Sequence, residues 1–168
     1  MLYNKLELKY HEGGLTVQES VKYWIRAALI AALYVAITYA LQATSFLPAQ
    51  FRLAEALTLL PMLFPEAIWG IGVGCFIANL FSPAGLIDVV LGSLTSLLAA
   101  FITYRYRWHA IGFLSPIVLN ALVVSAYLRL LAGLPYWVTA IGIAASEAVV
   151  VLGVGVPLVL YLRKWLQS

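Results

Sequence analysis

Charge is scarce in this sequence: Asp, Glu, Lys and Arg make up 10% of its 168 residues, and hydrophobic residues make up 64%. A soluble globular domain is about half apolar and about a quarter charged, so the composition excludes one and implies segments that face lipid. Cysteine is nearly absent as well. Cys75 stands alone within an apolar run, which excludes an intrachain disulfide and a metal site built on thiolates. The two histidines, His11 and His109, lie far apart in sequence, so no metal ligands are assigned. Catalytic signatures are missing too. There is no HExxH, no GxSxG and no Ser/His/Asp set at one depth, so no catalytic residue is assigned. "GIGVGC" at 70–75 is glycine-rich but lacks a following Lys-Ser/Thr and sits within an apolar run, so it is not a phosphate loop. The chain therefore binds no cofactor of its own and cannot itself use ATP. Nor is one sign of charge strongly in excess: ten Lys and Arg face seven Asp and Glu, a formal net charge of +3. In a chain this apolar the excess reports membrane topology, not a nucleic-acid partner.

What is present is a series of long hydrophobic runs. Apolar segments at 22–42, 53–64, 66–81, 87–104, 110–131 and 136–162 predict an all-α integral membrane protein with six transmembrane helices. These form one domain over 22–168, after a polar tail over 1–21 that mixes acids with bases and so does not read as a secretory signal. Thr16, three residues before Glu19, offers a capping box for the first helix. The second and third segments are short, which predicts tilted or partly buried helices that do not meet lipid all round.

The basic residues orient the bundle. With six spans, Lys5, Lys9, Lys22, Arg26, Arg105, Arg107, Arg163 and Lys164 all fall on one side, and only Arg52 and Arg129 on the other. By the positive-inside rule both termini are cytoplasmic, in the cell membrane. Arg52, Glu55, Asn79, Asp88, Arg129 and the Tyr136-Trp137 pair then lie at or near the outer ends of their segments. Asn120 and Glu147 lie about ten residues into theirs, and at 1.5 Å per residue Glu147 sits roughly 15 Å deep, near the midplane. An ionisable group there is costly and marks a functional site by default. The shared depth of these polar groups predicts a pocket open to the outside.

Each residue also has a structural reading. Arg52 and Glu55 stand at i, i+3, the spacing of a local helical ion pair. Glu147 and Asn120 share a depth and suit each other as partners. Asp88 is placed to cap the fourth helix, and Asn79 to satisfy a nearby loop backbone. Ala28, Ala32, Ala36 and Ala40, four apart with Ala27 and Ala31 beside them, form a small-residue stripe. It serves close packing within the bundle or docking of a partner subunit. "GVGVP" at 153–157 reads as a kink or a close helix approach.

Three stretches carry a resemblance: "QFRLAEALTLLP" at 50–61, "GCFIANLFSPAGLIDVVLGSL" at 74–94 and "PIVLNAL" at 116–122, together with the acidic residue in the last span. Over 24–164 the chain resembles the QueT family. Its members are substrate-binding S-components of energy-coupling factor (ECF) transporters, assigned to queuosine precursors. The resemblance implies partnership with a transmembrane scaffold subunit and two cytoplasmic ATPases that supply the ATP-driven step. It implies docking through Ala28, Ala32 and Ala36, and a gate over the site at 48–52. The substrate class is then a 7-deazaguanine such as preQ1, preQ0 or queuine.

The chemistry of such a base is compatible with the residues present. A carboxylate accepts its N1–H and exocyclic amine in bidentate fashion, with Glu147 the first candidate and Glu55 the second. Gln50, Arg52, Asn79 and Asn120 are the candidate donors for its acceptors. Tyr127, Tyr136, Trp137 and Trp69 are the candidates to sandwich the ring, and Asp88 to meet a cationic aminomethyl group. The competing readings are an S-component for another vitamin or heterocycle, an intramembrane enzyme using Glu147, and an assembly subunit with no ligand.

Overall fold

The computed structural model describes residues 17–42 and 51–167, which fold into helices without strands. Six helical rods follow in order: α1 (Val17–Ala40), α2 (Leu53–Met62), α3 (Ala67–Asn79), α4 (Asp88–Arg105), α5 (Ala110–Ala132) and α6 (Tyr136–Gln167). They coincide with the six apolar runs of the sequence. Four of them, α1, α4, α5 and α6, are long and apolar enough to cross a membrane. Thr16, expected to cap the first helix, and residues 48–50 of the expected gate, including Gln50, lie outside the described residues.

α2 is the hub. Every residue from Ala54 to Met62 is buried, so this helix meets protein on all sides where partial burial was expected. It is wound as a 3₁₀ helix with Pro61 inside it. At about 2.0 Å per residue, 3₁₀ winding stretches ten residues to roughly 20 Å, against roughly 15 Å for an α-helix. Around it lies the apolar core, with Ala54, Leu57, Leu59 and Met62 of α2 against Tyr34 of α1, Ile71 of α3, and Val151 and Val159 of α6.

Small residues set the distance between α1 and α3. Ala27, Ala31, Tyr34 and Thr38 form the buried seam of α1, spaced four, three and four apart as a packed helix face requires. Opposite stand Gly70 and Gly74. A Cβ at Gly70 would lie 2.7 Å from the Ala27 carbonyl oxygen, and one at Gly74 would lie 2.9 Å from the Tyr34 Cβ. The helices thus touch through Ala-x-x-x-Ala on one side and Gly-x-x-x-Gly on the other, the small-residue contact that lets membrane helices approach. This is the role of "GIGVGC". The stripe of Ala28, Ala32, Ala36 and Ala40 takes no part in it and is exposed.

Two prolines explain two irregularities. Pro116 sits inside α5 and has no N–H to give the carbonyl of Gly112, four residues back. That oxygen is met by the Thr103 hydroxyl of α4 at 2.9 Å, a side chain restoring a backbone bond that lipid cannot supply. In α6, Pro157 follows a π turn at Val151–Gly155. Gly155 packs on α2, where a Cβ would lie 2.9 Å from the Ala56 carbonyl oxygen. "GVGVP" therefore permits close approach through Gly155, whereas Gly153 has no neighbour within 4 Å and is exposed. The outward surface is apolar, with Leu29, Leu33, Val73, Phe76, Leu98 and Val149 among its exposed residues, as a lipid-facing surface must be.

A buried polar cluster as the candidate binding site

The cluster begins where the chain enters α2. Arg52 caps the helix in an extended conformation, φ −101° and ψ 92°, and this turns its side chain away from α2 and across the bundle. Its Nη2 donates to the Asn79 Oδ1 at 2.8 Å, with longer contacts to the Tyr34 hydroxyl at 3.4 Å and the Cys75 Sγ at 3.5 Å. Glu55, one turn on, reaches different helices. Its Oε1 accepts from the Tyr34 hydroxyl at 2.5 Å and the Ser96 hydroxyl at 3.1 Å. The ion pair that i, i+3 spacing allows between Arg52 and Glu55 is not formed. An ion pair does form near the start of α3, where Arg26 meets Glu66 at 3.2 Å.

A second arm runs through the outer end of α4. Asn79 ends α3 and donates through Nδ2 to the Asp88 carbonyl oxygen at 3.0 Å, so it satisfies local backbone as well as meeting Arg52. Asp88 makes no side-chain cap of its helix. Its carboxylate accepts instead from the Tyr127 hydroxyl of α5 and from the Ser82 hydroxyl, both at 2.5 Å. A π turn at Asp88–Gly92 aims this side chain inward, and such turns are frequent at functional sites. Gly92 leaves room for this arrangement, because a Cβ would collide with the Asp88 Oδ1 and lie 2.8 Å from the Asn79 Nδ2, so that one of these side chains would have to shift.

A third arm joins α5 and α6. Asn120 Nδ2 donates to the Glu147 Oε1 at 3.2 Å, the pairing that their common depth suggested. The cluster is enclosed: Glu55 is 0%, Glu147 2% and Arg52 4% exposed. Polar atoms buried this deeply are normally bonded. Yet Arg52 Nε, Glu55 Oε2 and Glu147 Oε2 have no hydrogen-bond partner.

Of the residues singled out in the sequence, the fold brings together Arg52, Glu55, Asn79, Asp88, Asn120, Tyr127 and Glu147. Trp137 is placed apart, 70% exposed and edge-on to Tyr136 at 4.9 Å between ring centroids. Trp69 lines an apolar groove of about 330 Å³ between α3 and α4, with Val73, Phe76, Val90 and Leu94, away from the carboxylates. The sequence reading missed Tyr34, Ser82 and Ser96. Tyr34 had a signal, being the one aromatic on the 27-31-34-38 seam of an alanine-rich helix; the serines had none. Among the described residues no three His, Cys, Asp or Glu are grouped to hold a metal ion.

Chemically, the cluster offers two unmatched carboxylate acceptors and one unmatched guanidinium donor in an enclosed setting. That suits a small, donor-rich polar molecule.

The family model of the "QueT transporter" matches residues 24–164 of this chain. The "Queuosine precursor transporter QueT" of Lactococcus lactis subsp. cremoris (strain MG1363) is 36% identical over 75 residues, covering 44% of this chain and 44% of that relative. No solved structure matches.

Proposed function

Because the chain belongs to the QueT transporter family and is a multi-pass membrane protein, we propose that it is the substrate-binding S-component of an ECF-type transporter in the cell membrane. It binds a 7-deazaguanine queuosine precursor within the buried cluster, from the outer side. Both termini are cytoplasmic, and α2 and α3 cross the membrane as short helices sheltered by the bundle. The observation that carries this reading is the enclosed cluster with unmatched atoms on Arg52, Glu55 and Glu147. A guanine-type edge presents two donors side by side, which Glu147 accepts, and a carbonyl oxygen, which Arg52 meets. The gate over the site is the stretch 48–52, of which 48–50 lie outside the described residues.

Energy comes from outside the chain. A transmembrane scaffold subunit docks on Ala28, Ala32 and Ala36, and two cytoplasmic ATPases hydrolyse the ATP. The exposure of that stripe in the free chain supports the assignment. Tyr34 links the two regions, since it sits on the opposite face of the same helix and holds Glu55.

The test is mass spectrometry of small molecules released by denaturing the purified, detergent-solubilised protein. A 7-deazaguanine is expected in the released fraction. Release of a different heterocycle would overturn the substrate while keeping the S-component reading. Absence of any ligand, with no calorimetric response to added 7-deazaguanines, would overturn the substrate class.

A further inference from the structure

Cations from two distant parts of the chain meet at one end of the bundle. Arg105 ends α4 and Arg107 lies in the turn to α5, while Arg163 and Lys164 stand near the end of α6. Trp108 joins the two groups. Its ring packs against the apolar core and edge-on to Phe113, at 6.5 Å between centroids. The Arg163 guanidinium lies over that ring, 4.1 Å from its centroid. Trp108 takes a left-handed backbone, φ 63°, which a bulky residue rarely adopts. A tight turn spans it, with the His109 N–H donating to the Tyr106 carbonyl oxygen at 3.1 Å. Arg105 and Arg107 lie over the rings of Tyr106 and Tyr104, at 5.7 and 4.8 Å. An aromatic face attracts a guanidinium without neutralising it. Arg105, Arg163 and Lys164 are exposed, and no described carboxylate lies within ion-pair distance of them. Glu66, just before α3, is buried and already taken by Arg26. Like charges gathered in this way repel one another, and a bound anion relieves that cost.

We propose that this end of the bundle binds an anionic phospholipid, with Arg163 and the arginines of the turn as its phosphate contacts. The planar N–H edge of a guanidinium matches phosphate oxygens two at a time. The surroundings favour a lipid over an acidic protein surface. Tyr161 and Trp165, one helical turn apart on α6, are exposed on either side of Arg163 in sequence, and such rings settle at headgroup level. Basic clusters beside a membrane span bind anionic headgroups of the cytoplasmic leaflet, the side on which the proposed topology puts this end. The inference goes beyond the proposed function and does not depend on the substrate.

The experiment is native mass spectrometry of the purified full chain, stripped of lipid in detergent and titrated with phosphatidylglycerol or phosphatidylcholine of the same acyl chains. The wild type is expected to bind phosphatidylglycerol first and more tightly. A basic residue at an anionic headgroup is worth about fivefold in affinity, so Arg105→Gln and Arg163→Gln should each lose about fivefold and the double variant about 25-fold. Arg129→Gln is the control. It removes the same charge at the far end of α5, roughly 30 Å along the helix from Ala110, and should leave the affinity unchanged. Equal binding of both lipids by the wild type overturns the inference. An equal loss in Arg129→Gln reduces the effect to net charge and overturns the site. Unchanged lipid binding by the double variant, with uptake lost in cells, assigns this end to a protein partner and also overturns it. If Arg163→Gln, which uncovers Trp108, does not fold, Arg105→Gln at its exposed position against Arg129→Gln still decides. None of these outcomes bears on 7-deazaguanine binding, so the proposed function stands or falls separately.

Discussion

Replacing Gly92 with Ala isolates the device that aims the cluster. The added methyl would collide with the Asp88 Oδ1 and crowd the Asn79 Nδ2, so one or both side chains must shift. Asp88 then weakens its contact with Tyr127, and Asn79 its contact with Arg52. Overpacking costs about 1–3 kcal/mol. Loss of one hydrogen bond to a charged group costs about 1.5–3 kcal/mol. Against this, Ala gains about 1 kcal/mol in helix propensity over Gly. The net destabilisation is about 1.5–5 kcal/mol, and at 2–4 °C per kcal/mol for a chain of this size the melting temperature falls by roughly 3–20 °C. Gly153→Ala is the control, since nothing lies within 4 Å of a Cβ there. It should leave the melting temperature unchanged or raise it. Thermal unfolding of both variants in the same detergent gives the comparison. If Gly92→Ala melts no lower than Gly153→Ala, the π turn does not hold Asp88 and Asn79 as described.

Thr103→Val removes the shorter of two hydroxyl bonds to the Gly112 carbonyl, leaving the Ser115 hydroxyl at 3.3 Å, and should cost about 0.5–1.5 kcal/mol; adding Pro116→Ala restores a backbone N–H and should recover much of that loss, while equal additive losses would refute the explanation. Tyr34→Phe leaves the Glu55 Oε1 with Ser96 alone, so thermal stability should fall by about 1.5–3 kcal/mol; no change would mean that the bond is not formed. Ala32→Leu, on the exposed stripe of α1, should spare ligand binding by the isolated chain and abolish uptake in cells; undiminished uptake would remove the docking role from that face.

Much of the architecture was legible because lipid imposes it. A run such as 110–131 has to be a helix, since its backbone groups find no partner in hydrocarbon other than each other. The pairing of Asn120 with Glu147 followed from depth, and so did the gathering of Arg52, Glu55, Asn79 and Asp88 at one end. Other features depend on neighbours that a linear reading does not supply. The carboxylate of Asp88 meets Tyr127 and Ser82 because a π turn rotates it inward and Gly92 leaves room for it. Trp137 was placed in the site by depth alone, whereas its direction around α6 leaves it on the outside. Tyr34 does not stand out in a linear reading, because the buried seam of Ala27, Ala31 and Thr38 that it shares interleaves with the exposed alanine stripe of the same helix.

The most direct test that the buried cluster receives the ligand compares wild type and Glu147→Gln in one binding experiment. Gln keeps the size of the side chain and the bond from Asn120, and loss of a buried charge need not destabilise the bundle. Both proteins are melted first to establish equal folding, then titrated by calorimetry with the same 7-deazaguanine. The expected result is equal stability with at least roughly a hundredfold loss of affinity in the variant, since a site that matches every polar edge penalises one lost acceptor heavily. Equal affinity in two equally stable proteins would contradict a ligand bound at Glu147.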